Sequence, residues 1–112
     1  MVLIPFTSTK ETFICQCGDF QFQFDTLYND YEGIWHFDLT DAQTGIVLCT
    51  QVSILLGLDL LRPMNLGIGS LFAADMTGAD LEAGPDDLGT RVIVAYYTPA
   101  EMEALALALL LV

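Results

Sequence analysis

Basic residues are nearly absent. Lys10, Arg62 and Arg91 stand against 15 acidic residues, a formal net charge of −12. Without a Lys/Arg cluster to neutralise phosphates, direct binding to nucleic acid is not expected, and an anionic membrane surface is disfavoured for the same reason. Cysteine is sparse and odd in number (Cys15, Cys17 and Cys49), and the opening Met-Val-Leu-Ile-Pro-Phe has no basic n-region or long apolar h-region. Neither a disulfide framework nor a secretion signal is therefore expected. No run reaches the roughly 18 apolar residues that a bilayer span requires. The expectation is a soluble intracellular protein with no membrane partner, and 112 residues make one domain.

Groups that carry chemistry are equally scarce. His36 is the single histidine; with Asp38 on the same strand face it could act as a base with an orienting carboxylate, but no serine or cysteine can be placed beside it from sequence. Cys15, Cys17, His36 and Cys49 could in principle form a zinc site, yet the cysteines fall on a Phe-lined surface where a free thiol serves as a small hydrophobe. The segment from Asp75 to Asp87 is acidic enough to raise calcium, but it lacks the D-x-[DN]-x-[DN]-G spacing. "LGIGS", Leu66 to Ser70, has neither the lysine nor the helix start of a phosphate loop. The reading is of a non-enzyme with no catalytic residue, no cofactor and no metal.

What the chain has is apolar strand pattern. Hydrophobic residues make up 54%, with seven Phe, four Tyr and one Trp. Thr12 to Cys17 and Phe20 to Asp25 flank Gly18-Asp19, a two-residue turn suited to type II′. The resulting register places Cys17 opposite Phe20, Cys15 opposite Phe22 and Phe13 opposite Phe24. After a loop from Asn29 to Gly33 comes a strand, Ile34 to Thr40, with Trp35, Phe37 and Leu39 on one face. Ile46 to Ile54 and Ile68 to Ala74 are further strands. Leu55 to Leu61, broken by Gly57, reads as a strand end, a bend or one helical turn. Met76 to Gly89 is a long acidic loop, and Arg91 to Tyr97, apolar on both faces, is expected at the centre of a sheet. The fold class is mainly β: a small antiparallel β-sandwich or partly open barrel of about seven strands with a C-terminal helix.

Residues 1–98 form the β-domain and 99–112 an apolar tail. Thr98 and Glu101 have the spacing of a capping box, and Pro99 falls at the first helical position. Leu105, Leu107 and Leu109 nevertheless alternate as in a strand, so helix is the favoured reading and strand the other. Either form must be buried somewhere, which makes Leu105, Leu107, Leu109, Leu110 and Leu111 candidate interface residues. Arg62 and Pro63 join them. Pro63 fixes the chain direction after an apolar segment, and Arg62 can offer a bidentate contact to a carboxylate of its own acidic loop or of a neighbour.

The order of these features, from the Ile-Pro arm and Phe-rich hairpin through Gly57-Leu58-Asp59-Leu60-Leu61-Arg62-Pro63 and "GIGSLFAAD" to Leu88-Gly89-Thr90-Arg91 and the last strand, resembles the baseplate plug proteins of contractile-tailed bacteriophages. The resemblance runs roughly from Ile4 to Tyr97; the Ala/Leu tail after Thr98 has no match in it. It implies a structural part of the virion, made in the host cytoplasm and packed in the central baseplate against the hub and tail-tube proteins. There it would help to close the channel, as an oligomer within the assembly. The alternative is a small β-barrel ligand-binding module or enzyme with a pocket near Trp35, His36 and the acidic loop.

Overall fold

The computed structural model describes residues 1–61, 67–79 and 81–110. Among the described residues, seven strands form two antiparallel sheets that face each other without closing into a barrel. The larger sheet is a meander, β2 (Thr12–Cys17), β3 (Phe20–Asn29), β4 (Ile34–Asp41) and β5 (Val47–Ser53), in that spatial order. The smaller is β1 (Val2–Ile4), β7 (Val92–Tyr97) and β6 (Ser70–Asp75), with β7 in the middle as its two apolar faces suggest. A helix, α1 (Pro99–Leu110), follows β7.

The first hairpin has the register read from the sequence, Cys17 opposite Phe20 and Phe13 opposite Phe24. Gly18 supplies the positive φ of its turn at +60°, while Asp19 needs none, as type II′ requires. Two elements differ from expectation. β3 does not stop at Asp25 but continues to Asn29, because Thr26, Leu27 and Tyr28 keep the alternation and pair with Phe37, His36 and Trp35. The N-terminal arm is not merely extended: Val2, Leu3 and Ile4 pair with Tyr96, Ala95 and Val94 and complete the small sheet. Leu55 to Leu61 resolves as a bend. Leu56 makes an isolated bridge to Ala73, and the Leu60 amide donates to the Leu71 carbonyl at 2.8 Å.

The core lies between the sheets and is aromatic. Phe22 of the meander meets Tyr96 of the small sheet edge to face at 6.0 Å between ring centres. Phe6, just after β1, inserts against Phe13 and Phe24 at 5.4 Å each. Burying each such ring is worth roughly 1.5–3 kcal/mol, so these contacts hold the N-terminal arm and both sheets as one unit. The described residues of α1 contribute nothing to the buried core.

Candidate assembly interface and the acidic loop

The acidic loop is fastened by the strand that follows it. Arg91, immediately before β7, sends one guanidinium nitrogen to Asp75 Oδ2 and the Leu81 carbonyl, both at 2.7 Å. The other donates to the Glu82 carbonyl at 2.8 Å and to Asp87 Oδ2 at 3.0 Å. The Asp75 side chain has no exposed surface. Its carboxyl is held down to about 2, first by the Thr77 hydroxyl, with the Thr77 and Leu81 amides and Arg91 adding to the effect. Asp87 is lowered chiefly by Arg91 and then by the Gly84 amide. The loop's other residues also serve the fold. Ala83 and Leu88 are buried, the Trp35 indole donates to the Gly84 carbonyl at 2.9 Å, and both Glu82 carboxylate oxygens accept from the Leu56 amide.

This arrangement accounts for "LGTR". Leu88 is fully buried, and Gly89 at φ +85° passes so close to the Phe6 carbonyl that a Cβ there would lie 2.1 Å from its oxygen. The Thr90 hydroxyl donates to the Asp87 carbonyl at 3.0 Å, and Arg91 is the clamp. "GLDLL" is equally structural. Asp59 accepts from the Leu61 and Leu71 amides on one oxygen and from the Ser70 hydroxyl, at 2.8 Å, on the other. It therefore fixes the bend against β6 while Leu60 and Leu61 are buried. Arg62 and Pro63 themselves lie outside the described residues. The clamp seen on the loop is that of Arg91, with one nitrogen on Asp75 and the other on Asp87. The signal for it was present in the four-residue spacing of Asp87 and Arg91.

Of the residues considered for chemistry, His36 and Asp38 line one recess, whereas the cysteines lie on the other face of the meander. Trp35 and His36 point to opposite faces of β4, so the loop that holds Trp35 does not share a pocket with His36. His36 is half-buried. Its side chain is 16% exposed; Nδ1 lies 3.3 Å from Ser53 Oγ, the neighbour that sequence could not supply. Its buried Nε2 has no hydrogen-bond partner among the described residues, and Glu32 is 3.6 Å away. Beside His36 is a shallow recess of about 260 Å³ whose lining includes Lys10, Asp25, Asp38 and Gln51. Gln51 is the one described non-glycine residue at positive φ, where a bulge in β5 lets its amide donate to Asp38 Oδ1 at 2.7 Å.

Cys15, Cys17 and Cys49 belong to the inner face, away from His36. Burial pushes the Cys17 thiol up to about 12 and raises Cys49 too. Among the described residues no group of three or more His, Cys, Asp or Glu converges on a point that could hold a metal.

The tail is a helix from Pro99, and its capping box is formed on both sides. The Glu101 amide donates to Thr98 Oγ1 and the Thr98 amide to Glu101 Oε1, each at 3.1 Å. The N-terminal ammonium also contacts Glu101, which together with the Thr98 amide lowers that carboxyl. Leu105 and Leu107 are 49% and 56% exposed. Leu111 and the side chains of Leu109 and Leu110 lie outside the described residues. A groove of about 300 Å³ separates Tyr97 from Glu101, Ala104 and Leu105.

A model of the family described as cyanophage baseplate Pam3 plug gp18 matches residues 1–99, which include the whole sandwich. The chain belongs to this family. No curated protein matches it. In this plug family member, the match ends where α1 begins, so the apolar helix is an addition to the matched domain.

Proposed function

We propose that the chain is a non-catalytic structural component of a phage tail baseplate. It packs in the central hub region and helps to close or connect the tail-tube end. The family match across residues 1–99 carries this reading. The geometry supports it, because the loop carboxylates and the family motifs are used to hold the β-domain rigid rather than to present reactive groups. In this proposal the chain is made in the host cytoplasm, is carried in the virion and touches hub and tail-tube proteins. Arg62, Pro63 and the leucines of α1 belong to its contact surface. Mass spectrometry of purified virions, followed by binding of the chain to the hub protein of the same phage, tests it. The chain is expected in virions at a fixed ratio to the hub and in complex with it. Absence from washed virions, or no complex with hub or tube proteins, would refute the reading.

A further inference from the structure

The two outer faces of the sandwich differ in kind. On the four-stranded sheet the outward positions are mostly polar, with Gln21, Gln23, Asp25, His36, Asp38 and Thr40 alternating with buried residues. The three-stranded sheet has no such set. Its register places Leu3, Ala95 and Phe72 in one outward row, Ile93 and Ala74 in the next, and Tyr97 with Ser70 at the end. Leu3 is 56% exposed, Ala74 is exposed, Ser70 is buried and the others are half-buried. None of the 15 acidic residues is among them, although acidic side chains dominate the charge of the chain. A strand apolar on both sides, as β7 is, belongs to a sheet covered on both sides; here one cover is the core, and among the described residues the other side is closed over only at the end where Ser70 is buried and bonded to Asp59.

The same chain carries a matching piece. From Ala104 to Leu110, α1 is uncharged Ala and Leu. Its 12 residues are about 18 Å long, close to the roughly 20 Å of a six-residue strand such as β7. It meets its own sheet face only at the end, where Ala104 and Leu105 share a groove with Tyr97. Thr98 alone separates β7 from α1, and both capping bonds and the Glu101 contact to the N-terminal ammonium hold the first helical turn at the sheet end. Turning a helix back along its strand takes a connection of about 2–6 residues. Accordingly α1 packs extensively on no strand.

We propose that α1 of one copy lies across the outer face of the small sheet of the next, so that a second copy of this chain is the missing cover. The contact joins two different patches and closes either as a reciprocal pair or as a ring. This inference goes beyond the baseplate reading and does not depend on it. Two charge insertions test it without entering the core: Ala95→Glu in the middle of the sheet face and Leu107→Glu on the helix. By light scattering, the full chain is expected at twice 12.3 kDa or more, with dissociation on dilution. Each variant alone is expected to be monomeric with an unchanged circular dichroism spectrum. An equal mixture of the two should recover a heterodimer, because the helix of one and the face of the other are intact. If Ala95→Glu fails to fold, Leu3→Glu, on the exposed edge of the same face, takes its place. A full chain that stays monomeric, association that survives the face variant, or folded variants that fail to complement would each overturn the proposal. A monomeric chain that still enters virions would do so while leaving the baseplate reading intact.

Discussion

Gly89→Ala and Gly57→Ala form a matched pair that measures what the passage of the loop beside Phe6 is worth. Both glycines have positive φ, +85° and +74°, so an alanine at either costs about 1–2 kcal/mol for the left-handed backbone. Each substitution regains about 0.4–1 kcal/mol by stiffening the unfolded chain, and these two effects cancel in the comparison. The surroundings do not cancel. Nothing among the described residues lies within 4 Å of a Cβ at Gly57, whereas at Gly89 the Phe6 carbonyl oxygen stands at 2.1 Å, more than an ångström inside the 3.4 Å limit of ordinary contact. The obstruction is backbone, and the Phe6 ring beyond it is 4% exposed and wedged between Phe13 and Phe24. Relieving an overlap of this kind costs about 1–3 kcal/mol. Urea denaturation should therefore show Gly89→Ala losing about 1–3 kcal/mol more than Gly57→Ala, as a lower midpoint at unchanged slope. Equal losses would show that the loop does not press on Phe6, and that the clamp at Arg91 is not tied to the core.

Four further outcomes are expected. The depressed Asp75 carboxyl gives stability that is complete above its ordinary value of 3.8 and lost as pH falls towards about 2; acid titration followed by circular dichroism should show that limb flattened in Asp75→Asn, and an unchanged limb would count against the clamp. In native protein at mildly alkaline pH, alkylation mapped by mass spectrometry should leave Cys17 unmodified until denaturant is added; early labelling would contradict its burial. Phe22→Ala, at 1% exposure, should cost roughly 3–5 kcal/mol. By contrast His36→Leu, which removes a buried nitrogen without a partner, should change stability by no more than about 1 kcal/mol in either direction; equal effects would mean that the faces of the meander are reversed. A chain ending at Thr98 should keep its cooperative melt, since no described helix residue is in the core, but lose self-association.

Much of this fold was legible because period-two alternation is a local property. The register of Phe13, Cys15 and Cys17 against Phe24, Phe22 and Phe20 follows from one glycine turn. The helix start follows equally from Thr98, Pro99 and Glu101, three near neighbours, two of which exchange both capping bonds. What escaped was non-local. The pairing of Val2 with Tyr96 joins residues at opposite ends of the chain, and three residues of arm carry too short a pattern to be recognised as a strand. Arg91 looked like an ordinary strand start because Asp75, the more distant of its two carboxylate partners, reaches it only when β6 and β7 pair. Ser53 reaches His36 only through the register of β4 and β5, so its contact with the histidine ring could not be foreseen. At the candidate interface, composition identified the tail as apolar, but the bare outer face of the small sheet appears only once strand order is known.

The order of the strands also sets a timetable for synthesis. Every pairing in the meander joins consecutive strands, and contacts of such short sequence separation form early. The small sheet is the reverse: β1 emerges first, yet its partner β7 begins at Val92. Until the ribosome has released Tyr97, the Phe-lined face of the meander has no lid, and the unpaired Val-Leu-Ile of the arm waits beside it. We expect nascent chains stalled near Asp75 to be held by chaperones or to aggregate, and chains stalled with β7 outside the exit tunnel to resist proteolysis. Protease-resistant chains at the earlier stall would show that the meander stands alone.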